Sequence, residues 1–141
     1  MQRHASAVWH GDLKSGKGSI STESAAIRDQ AYGFATRFEN EPGTNPEELI
    51  GAAHAGCFSM ALAHELAGAG MSPERVATKA TVTLDQVEGG FAISKVHLDV
   101  EAKVPGADRA RFDEIAEAAK AGCPVSKVLN AEISMTAALD A

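Results

Sequence analysis

The stretch from Leu49 to Ala63 constrains the fold of this chain most, because it contains no Asp, Glu, Lys or Arg. It is shorter than the ~18–20 apolar residues that a membrane span needs, so we expect no membrane segment here. Apolar residues lie on every face of the helix that it predicts, and such a helix is buried all round. Gly68 and Gly70 mark its end. Its many Ala and Gly residues suit the close approach of a second backbone.

The start of this helix is marked by the segment 44–49, Thr-Asn-Pro-Glu-Glu-Leu. Asn45 is a favoured N-cap residue and Pro46 suits the first helical position. Glu48 stands at the third position, from which its carboxylate can reach back in a capping box. Glu47 has no comparable role in capping the helix.

The rest of the chain predicts strands and two shorter helices. Alternating apolar residues and turn signals indicate strands at 5–9, 19–23, 32–36, 76–84, 91–102 and 131–138, and helices from Asp108 to about 121 and from Pro124. The apolar alternation changes parity between Ile93 and Val96, which predicts a β-bulge near Ser94. Hairpins and long connections without a βαβ rhythm favour an α+β fold, with residues 1–141 as a single domain.

Charge and cysteine content exclude several classes of function. There are 13 Lys and Arg against 19 Asp and Glu, a net charge of −6, and only 5% of the residues are aromatic. A nucleic-acid partner is therefore not expected. Two widely separated cysteines form neither a secreted disulfide framework nor a CxxC zinc pair. We expect a cytoplasmic protein.

The two cysteines occupy different local settings. Cys57 lies in the middle of the buried helix, where a free cysteine often packs simply as a small hydrophobe. Cys123 lies between Gly122, which ends one helix, and Pro124, which begins the next, so we expect it at a helix N-cap, where the dipole favours a thiolate. This asymmetry suggests one thiol in a rigid site and a second on a segment able to move.

A thiol peroxidase needs a thiolate, a cation to stabilise it, a proton donor for the leaving oxygen and a second thiol. Arg37 is the candidate cation, although composition alone favours a surface arginine. Glu47 could hold Arg37 in a bidentate pair or handle the proton of the leaving alcohol, or it could be a solvated acid in the first helical turn. His54, Cys57 and His64 are too few and too poorly grouped for a zinc site, so no metal is expected.

Four segments carry a resemblance to a known family. They are the residues 37–39 and 42–49 (Arg-Phe-Glu and Pro-Gly-Thr-Asn-Pro-Glu-Glu-Leu), 51–62 (Gly-Ala-Ala-His-Ala-Gly-Cys-Phe-Ser-Met-Ala-Leu), and 123–127 (Cys-Pro-Val-Ser-Lys). Together they resemble the OsmC/Ohr family, and its osmotically inducible protein C branch more than its organic hydroperoxide resistance branch.

The resemblance implies an OsmC-like α+β fold, with antiparallel strands around a long central helix, and an intertwined homodimer with its active sites at the subunit interface. It implies that Cys57 is the peroxidatic cysteine and Cys123 the resolving one, with Arg37 and Glu47 completing the site. It also implies no bound cofactor and an external dithiol reductant such as dihydrolipoamide or a lipoylated protein.

One geometric consequence concerns Glu47 and Cys57, which are ten residues apart. This spacing is about 15 Å along a straight helix. Either the helix breaks near Gly51, or Glu47 serves the cysteine of the other subunit.

We therefore expect a peroxidase that reduces organic hydroperoxides to alcohols through a Cys57 sulfenic acid and a Cys57–Cys123 disulfide, in resistance to oxidative and osmotic stress. Apolar neighbours, namely Phe38, Phe58 and Met60, would favour alkyl hydroperoxides over hydrogen peroxide. The alternative is a non-enzymatic dimeric module that binds a small hydrophobic ligand, with structural thiols. A thiol-based redox sensor is a third reading, but it needs a DNA-binding or partner surface, and the acidic balance gives no sign of DNA binding.

Overall fold

The computed structural model describes residues 1–141 and contains six strands and four helices. In chain order these are β1 (Ala5–His10), β2 (Lys17–Thr22), β3 (Gln30–Tyr32), α1 (Phe34–Phe38), α2 (Pro46–Gly68), β4 (Arg75–Val87), β5 (Gly90–Lys103), α3 (Arg109–Gly122), α4 (Pro124–Val128) and β6 (Glu132–Asp140). The predicted α+β class is confirmed. The chain divides into two compact units, Met1–Leu49 and Ile50–Ala141. No helix is long and apolar enough to cross a membrane.

The amino-terminal unit contains an antiparallel sheet in the order β1-β2-β3. Gly18 of β2 lies in register with Trp9 of β1 and Tyr32 of β3, and a Cβ at Gly18 would collide with both rings. Glycine therefore allows the two aromatic rings to meet over the central strand, with their centroids 5.5 Å apart. No apolar side chain of this unit is fully buried.

A short helix replaces the strand predicted at 32–36, so that prediction is wrong beyond Tyr32. Gly33 donates its N–H to the Thr36 hydroxyl oxygen, and that hydroxyl donates back to the Gly33 carbonyl, both at 3.0 Å. These bonds satisfy backbone groups at the first turn of α1, where an alternating pattern alone indicates a strand.

The carboxy-terminal unit contains the sheet β4-β5-β6 and the whole apolar core. Strands β4 and β5 form an antiparallel hairpin, whereas β6 pairs with β5 in parallel after the crossover through α3 and α4. The expectation of antiparallel strands and of no βαβ connection is thus wrong for this one pair. The predicted bulge is confirmed, because Thr83 pairs with Lys95 and Leu84 with Ile93, which leaves Ser94 as the extra residue.

The core fixes the helices on this sheet. One cluster joins Phe58, Leu62 and Leu66 of α2 to the inward residues of β5 and to one face of α3, namely Val96, Leu98, Val100, Ala102, Val104, Phe112, Ile115, Ala116, Ala119 and Cys123. The α3 face and its Asp108 cap, which accepts the Arg111 N–H at 2.8 Å, agree with the prediction. Cys123 therefore lies inside the core, at the junction of α3 and α4.

Helix α2 is continuous from Pro46 to Gly68, and Gly70 then adopts a φ of +79°. The Met71 N–H donates to the Leu66 carbonyl at 2.9 Å, which closes the helix in a Schellman motif. The prediction that α2 is buried on every side is wrong for the single chain. One of its faces is exposed, at Ala52, Ala53, Gly56 and Met60, because the core covers only the opposite face.

Candidate active site

The two cysteines meet although they are 66 residues apart in the chain. Cys57 lies in the fourth turn of α2, and Cys123 is the residue between α3 and α4. Their sulfur atoms are 2.9 Å apart, and both thiols are free. Cys57 is partly exposed, whereas Cys123 has no solvent-accessible surface. A reagent from solvent therefore reaches Cys57 first, and Cys123 is in position to react with whatever Cys57 becomes.

The pKa values of the two thiols shift in opposite directions. Burial raises the pKa of the Cys57 thiol, and the proton that it shares with Cys123 raises it further. Burial also acts to raise the pKa of Cys123, but hydrogen bonding from Cys57 and from the first turn of α4 outweighs it, so that the pKa of Cys123 is lowered. Cys123 is thus the more acidic thiol within this unit, and Cys57 needs a further cation to become a thiolate at neutral pH.

The position of Cys123 explains why α4 favours its thiolate. It is the N-cap residue of α4 and Pro124 is the first helical residue, as the sequence predicts. The backbone groups of Val125 and Ser126 and the Ser126 hydroxyl all act to lower the pKa of Cys123. Unpaired N–H groups at the start of a helix stabilise a negative charge placed there.

Ser126 also links α4 to α2. Its hydroxyl oxygen is 2.7 Å from Nε2 of His54, and His54 is completely buried. The sequence indicates His54 only as a candidate metal ligand, and it gives Ser126 no role in the site. Their symmetric spacing was the available signal, because His54 precedes Cys57 by three residues and Ser126 follows Cys123 by three.

Arg37 and Glu47 form a two-point ion pair inside the amino-terminal unit. Arg37 Nη2 is 2.8 Å from Glu47 Oε1, and Arg37 Nε is 3.2 and 3.3 Å from the two carboxylate oxygens. The bidentate pair is the contact that the sequence predicts. Glu47 is 8% exposed, so it is not a solvated acid of the first turn.

A second contact fixes α1, which carries Arg37, relative to the start of α2. The Asn45 amide donates to the Thr36 carbonyl at 3.0 Å, while its Oδ1 accepts the Glu48 N–H at 2.8 Å as the predicted N-cap. The capping box is wrong in one respect. The Glu48 carboxylate accepts from the Thr44 hydroxyl at 2.9 Å and does not bind Asn45, because Thr44 offers a nearer donor.

An aromatic cavity of about 270 Å³ lies next to Arg37 in the amino-terminal unit. Trp9, Tyr32, Phe34 and Phe38 line it, together with Arg37 itself. The guanidinium stands 5.3 Å from the centre of the Phe38 ring. The expectation for Phe58 is wrong, because its side chain is fully buried in the core and cannot face a substrate.

The structure gathers no group of three His, Cys, Asp or Glu side chains that could hold a metal ion. His54 is engaged with Ser126, and His64 lies on an exposed part of α2. The arrangement therefore offers thiol chemistry at Cys57 and Cys123, and a separately built guanidinium–carboxylate pair.

Comparison with known proteins identifies a matching family and several relatives of this chain. The family model described as OsmC-like protein matches residues 38–138, which include Glu47, Cys57 and Cys123 and begin directly after Arg37. Peroxiredoxin OsmC of Escherichia coli (strain K12) is 57% identical over 135 residues, which cover 96% of this chain and 94% of that protein. An organic hydroperoxide resistance protein of Xanthomonas axonopodis pv. citri (strain 306) is 33% identical over 98 residues, 69% of this chain and 67% of that protein.

Solved structures agree on the fold. The organic hydroperoxide resistance protein OhrB of Bacillus subtilis matches with a TM-score of 0.71 and 24% identity, over 96% of this chain and 98% of that one. An OsmC-like protein of unknown function from Vibrio cholerae matches with a TM-score of 0.77 and 14% identity, over 98% and 99%. The family match covers well over half of the chain and the first relative nearly all of it, so this chain belongs to the OsmC-like protein family.

Proposed function

We propose that this chain is a thiol-dependent peroxidase that reduces organic hydroperoxides to alcohols, in resistance to oxidative and osmotic stress. The observation that carries the proposal is the pair of free sulfur atoms 2.9 Å apart, one partly exposed and one fully buried. A relative named peroxiredoxin and another named organic hydroperoxide resistance protein support the same chemistry. The family match runs across the boundary between the two units, which supports one functional domain over residues 1–141.

In the first step the Cys57 thiolate attacks the outer oxygen of the hydroperoxide, ROOH. The O–O bond breaks, the sulfur is oxidised to a sulfenic acid, and the other oxygen leaves with a proton as the alcohol ROH. Burial raises the pKa of Cys57, so this step needs a cation beside the sulfur. Arg37 supplies that cation and binds the peroxide oxygens, and Glu47 orients Arg37 through their bidentate contact.

In the second step Cys123 attacks the sulfenic sulfur. A disulfide forms, and the sulfenic oxygen leaves as water with the proton of Cys123. An external dithiol of the dihydrolipoamide type, free or on a lipoylated protein, then reopens the disulfide by exchange and is itself oxidised. No bound cofactor takes part in this scheme. A reducing compartment, the cytoplasm, suits a cycle that begins with two free thiols.

The complete site needs two chains in this proposal. Helix α2 is unbroken from Pro46 to Gly68, so Glu47 stands about 15 Å from Cys57 along the helix. The alternative of a break near Gly51 is therefore wrong, and we assign Arg37 and Glu47 of one chain to Cys57 of the other. The exposed α2 face of small residues supports a homodimer, since it lets a second backbone approach closely.

The aromatic cavity beside Arg37 favours an organic substrate. Its apolar walls would shelter the hydrocarbon part of ROOH while Arg37 holds the oxygens. Hydrogen peroxide has no apolar group to bury there, so it gains nothing from these walls.

Steady-state turnover tests the proposal directly. The full-length protein is assayed with cumene hydroperoxide and with hydrogen peroxide, using dihydrolipoamide and a monothiol as alternative reductants. We expect faster turnover of the organic substrate and a requirement for the dithiol. Cys57→Ser should consume no peroxide, and Cys123→Ser should complete one turnover and then stop at the sulfenic acid or a higher oxidation state. Wild-type turnover in Cys57→Ser would overturn the proposal.

The cavity also favours one other function, a binding module for a small apolar ligand in which both thiols are structural. In that case the protein would bind the ligand with equal affinity before and after mild thiol alkylation, and would consume no peroxide. The same turnover assay therefore separates the two functions.

A further inference from the structure

His54 is the one completely buried polar side chain, and the proposed chemistry gives it no role. Its Nε2 atom lies 2.7 Å from Ser126 Oγ, but its Nδ1 atom is buried and has no hydrogen-bond partner. Leaving a buried polar atom unpaired destabilises a fold, so an apolar side chain of similar size would serve packing better. This points to a role for His54 beyond stability.

We propose that His54 and Ser126 are positioning residues that hold the Cys123 sulfur as a thiolate, the form that attacks Cys57 and that later leaves it. His54 Nε2–H donates to Ser126 Oγ, and the Ser126 hydroxyl donates to the Cys123 sulfur. The inference rests on the proposed peroxidase function, and it concerns only the second half of that cycle.

The burial of the His54 ring indicates the direction of its hydrogen bond to Ser126. Burial lowers the pKa of His54, so its ring is neutral and carries one N–H at neutral pH. An unpaired buried N–H is rarer than an unpaired acceptor, which places the hydrogen on Nε2 and leaves Nδ1 as a bare lone pair. Ser126 then receives a hydrogen bond, and its own O–H is free to point at Cys123, whose pKa it helps to lower against the effect of burial.

No charged side chain near Cys123 in this chain is placed to stabilise its thiolate, so we assign that role to Ser126. From α2 the titratable groups that face it are Cys57 directly and His54 through Ser126. Lys120 of α3 is paired with Glu117 at 2.8 Å, and Lys127 of α4 is exposed. Cys123 itself belongs to the apolar core. Apart from Cys57, the polar groups that act to stabilise a negative sulfur here therefore belong to the first turn of α4.

A thiolate at Cys123 speeds both the formation of the disulfide and its reduction by the dithiol. When the disulfide forms, the Cys123 thiolate is the nucleophile, and the sulfenic oxygen leaves as hydroxide, which takes a proton from solvent to become water. When the dithiol reduces the disulfide, it attacks the accessible Cys57 sulfur, because Cys123 is fully buried. Cys123 is then the leaving group, and a thiol of lower pKa leaves faster.

The first test measures the Cys123 thiolate without any peroxide. In a Cys57→Ser background Cys123 is the only thiol, and its ionisation is followed by ultraviolet absorbance of the thiolate against pH. Adding Ser126→Ala should move the midpoint to higher pH, and Ser126→Thr should restore it. His54→Leu should also raise the midpoint, whereas His54→Gln, which keeps a donor near the Nε2 position, should raise it less.

A matched control uses Ser59, a partly buried serine on α2. Its oxygen is 2.8 Å from the Thr78 hydroxyl, in a contact apart from the cysteines. Ser59→Ala removes a similar hydrogen bond and should leave the midpoint unchanged. An unchanged midpoint in both Ser126→Ala and His54→Leu would overturn the inference, and so would an equal shift in Ser59→Ala.

The second test separates the two halves of the cycle. One equivalent of cumene hydroperoxide is mixed with reduced protein that retains both cysteines, and peroxide loss and disulfide formation are timed separately. Ser126→Ala should leave peroxide loss within about twofold of wild type but slow disulfide formation about threefold for each pKa unit by which Cys123 rises, since greater nucleophilicity offsets part of the lost thiolate. Equal slowing of both steps would overturn the inference. Absence of peroxide loss in the wild type would instead refute the peroxidase proposal, and the peroxide-free titration would still decide the role of Ser126 and His54.

Discussion

The two units of this chain place their functional groups by different means. In Ile50–Ala141 the two sulfur atoms are fixed by a closed apolar core, and Cys123 itself belongs to that core. In Met1–Leu49 no apolar side chain is fully buried, and Arg37 is held by Glu47 while Asn45 ties the neighbouring Thr36 carbonyl. Packing therefore positions the sulfurs, and a few hydrogen bonds position the cation.

Because of this difference, substitutions in the two units should affect different properties, namely stability in one and the orientation of Arg37 in the other. A substitution in a packed core loses transfer free energy and leaves a cavity, so it lowers stability first. A substitution among partly exposed polar groups costs little stability, but it changes the orientation of a guanidinium on which the proposed chemistry depends. Four predictions below test this contrast.

The largest expected effect is on stability, in the carboxy-terminal unit. Phe58→Ala should lower the free energy of unfolding by roughly 3–5 kcal/mol, because Phe58 is fully buried in the core. Phe34→Ala in the amino-terminal unit is the matched control, since Phe34 is only half-buried, and it should cost about 1 kcal/mol or less. Urea unfolding at fixed protein concentration measures both. Similar losses for the two variants would show that the units do not differ as described.

The next effect is on activity, in the amino-terminal unit. Arg37→Ala should slow hydroperoxide reduction on the order of a hundredfold or more, the effect of removing a donor that stabilises developing charge. Arg37→Lys should also be poor, since an ammonium group cannot contact two partners in the plane of a guanidinium. Arg37→Lys should unfold at nearly the wild-type urea concentration. Arg37→Ala leaves the Glu47 carboxylate, which is only 8% exposed, without its partner, so it should unfold at a somewhat lower concentration. Stopped-flow peroxide loss and thiol alkylation against pH provide the measurement, and an unchanged alkylation profile in Arg37→Ala would contradict the assigned role.

Local rules predicted much of this arrangement. The sequence predicts three helix caps, Asn45, Asp108 and Cys123, because capping depends on residues within one turn. It also predicts the bulge at Ser94, because the apolar alternation changes parity within one strand. The sequence allows the Arg37–Glu47 contact as one of three interpretations of Glu47, and the structure contains that contact. These features depend on short-range chemistry that a single sequence displays.

The features that were missed depend on contacts between distant segments. The His54–Ser126 hydrogen bond joins residues 72 positions apart, and β6 pairs in parallel with β5 only because α3 and α4 carry the chain back across the sheet. Phe58 was assigned to a substrate pocket because an apolar residue beside a reactive cysteine fits a pocket or a core equally well. The side of α2 that faces the core decides between them, and that side is set by the sheet.

The third prediction tests whether Glu47 of one chain and Cys57 of another chain belong to the same active site. Dimers are prepared by co-expression of a Glu47→Ala chain and a Cys57→Ser chain with different tags. If Glu47 serves the cysteine of the other chain, each mixed dimer contains one intact site and should show about half of the wild-type activity, because the active site pairs intact groups from both chains. If Glu47 serves its own chain, neither site is intact and activity stays near that of the parent variants. The latter result would contradict the two-chain site while leaving the chemistry of Cys57 and Cys123 in place.

The smallest expected effects distinguish the two contacts of Asn45, one with the Glu48 N–H and one with the Thr36 carbonyl. Asn45→Ala removes both the N-cap and the bond to the Thr36 carbonyl, and it should cost about 0.5–2 kcal/mol of stability as well as activity. Asn45→Asp keeps an oxygen for the Glu48 N–H but has no amide to donate to Thr36, so it should retain stability and still reduce hydroperoxide more slowly. Glu48→Ala is the control. It loses one bond to the Thr44 hydroxyl and a favourable charge in the first turn, about 0.3–1 kcal/mol, and should keep wild-type activity. If Asn45→Asp has full activity, the bond to Thr36 does not hold α1 in place, and Glu47 alone must position Arg37.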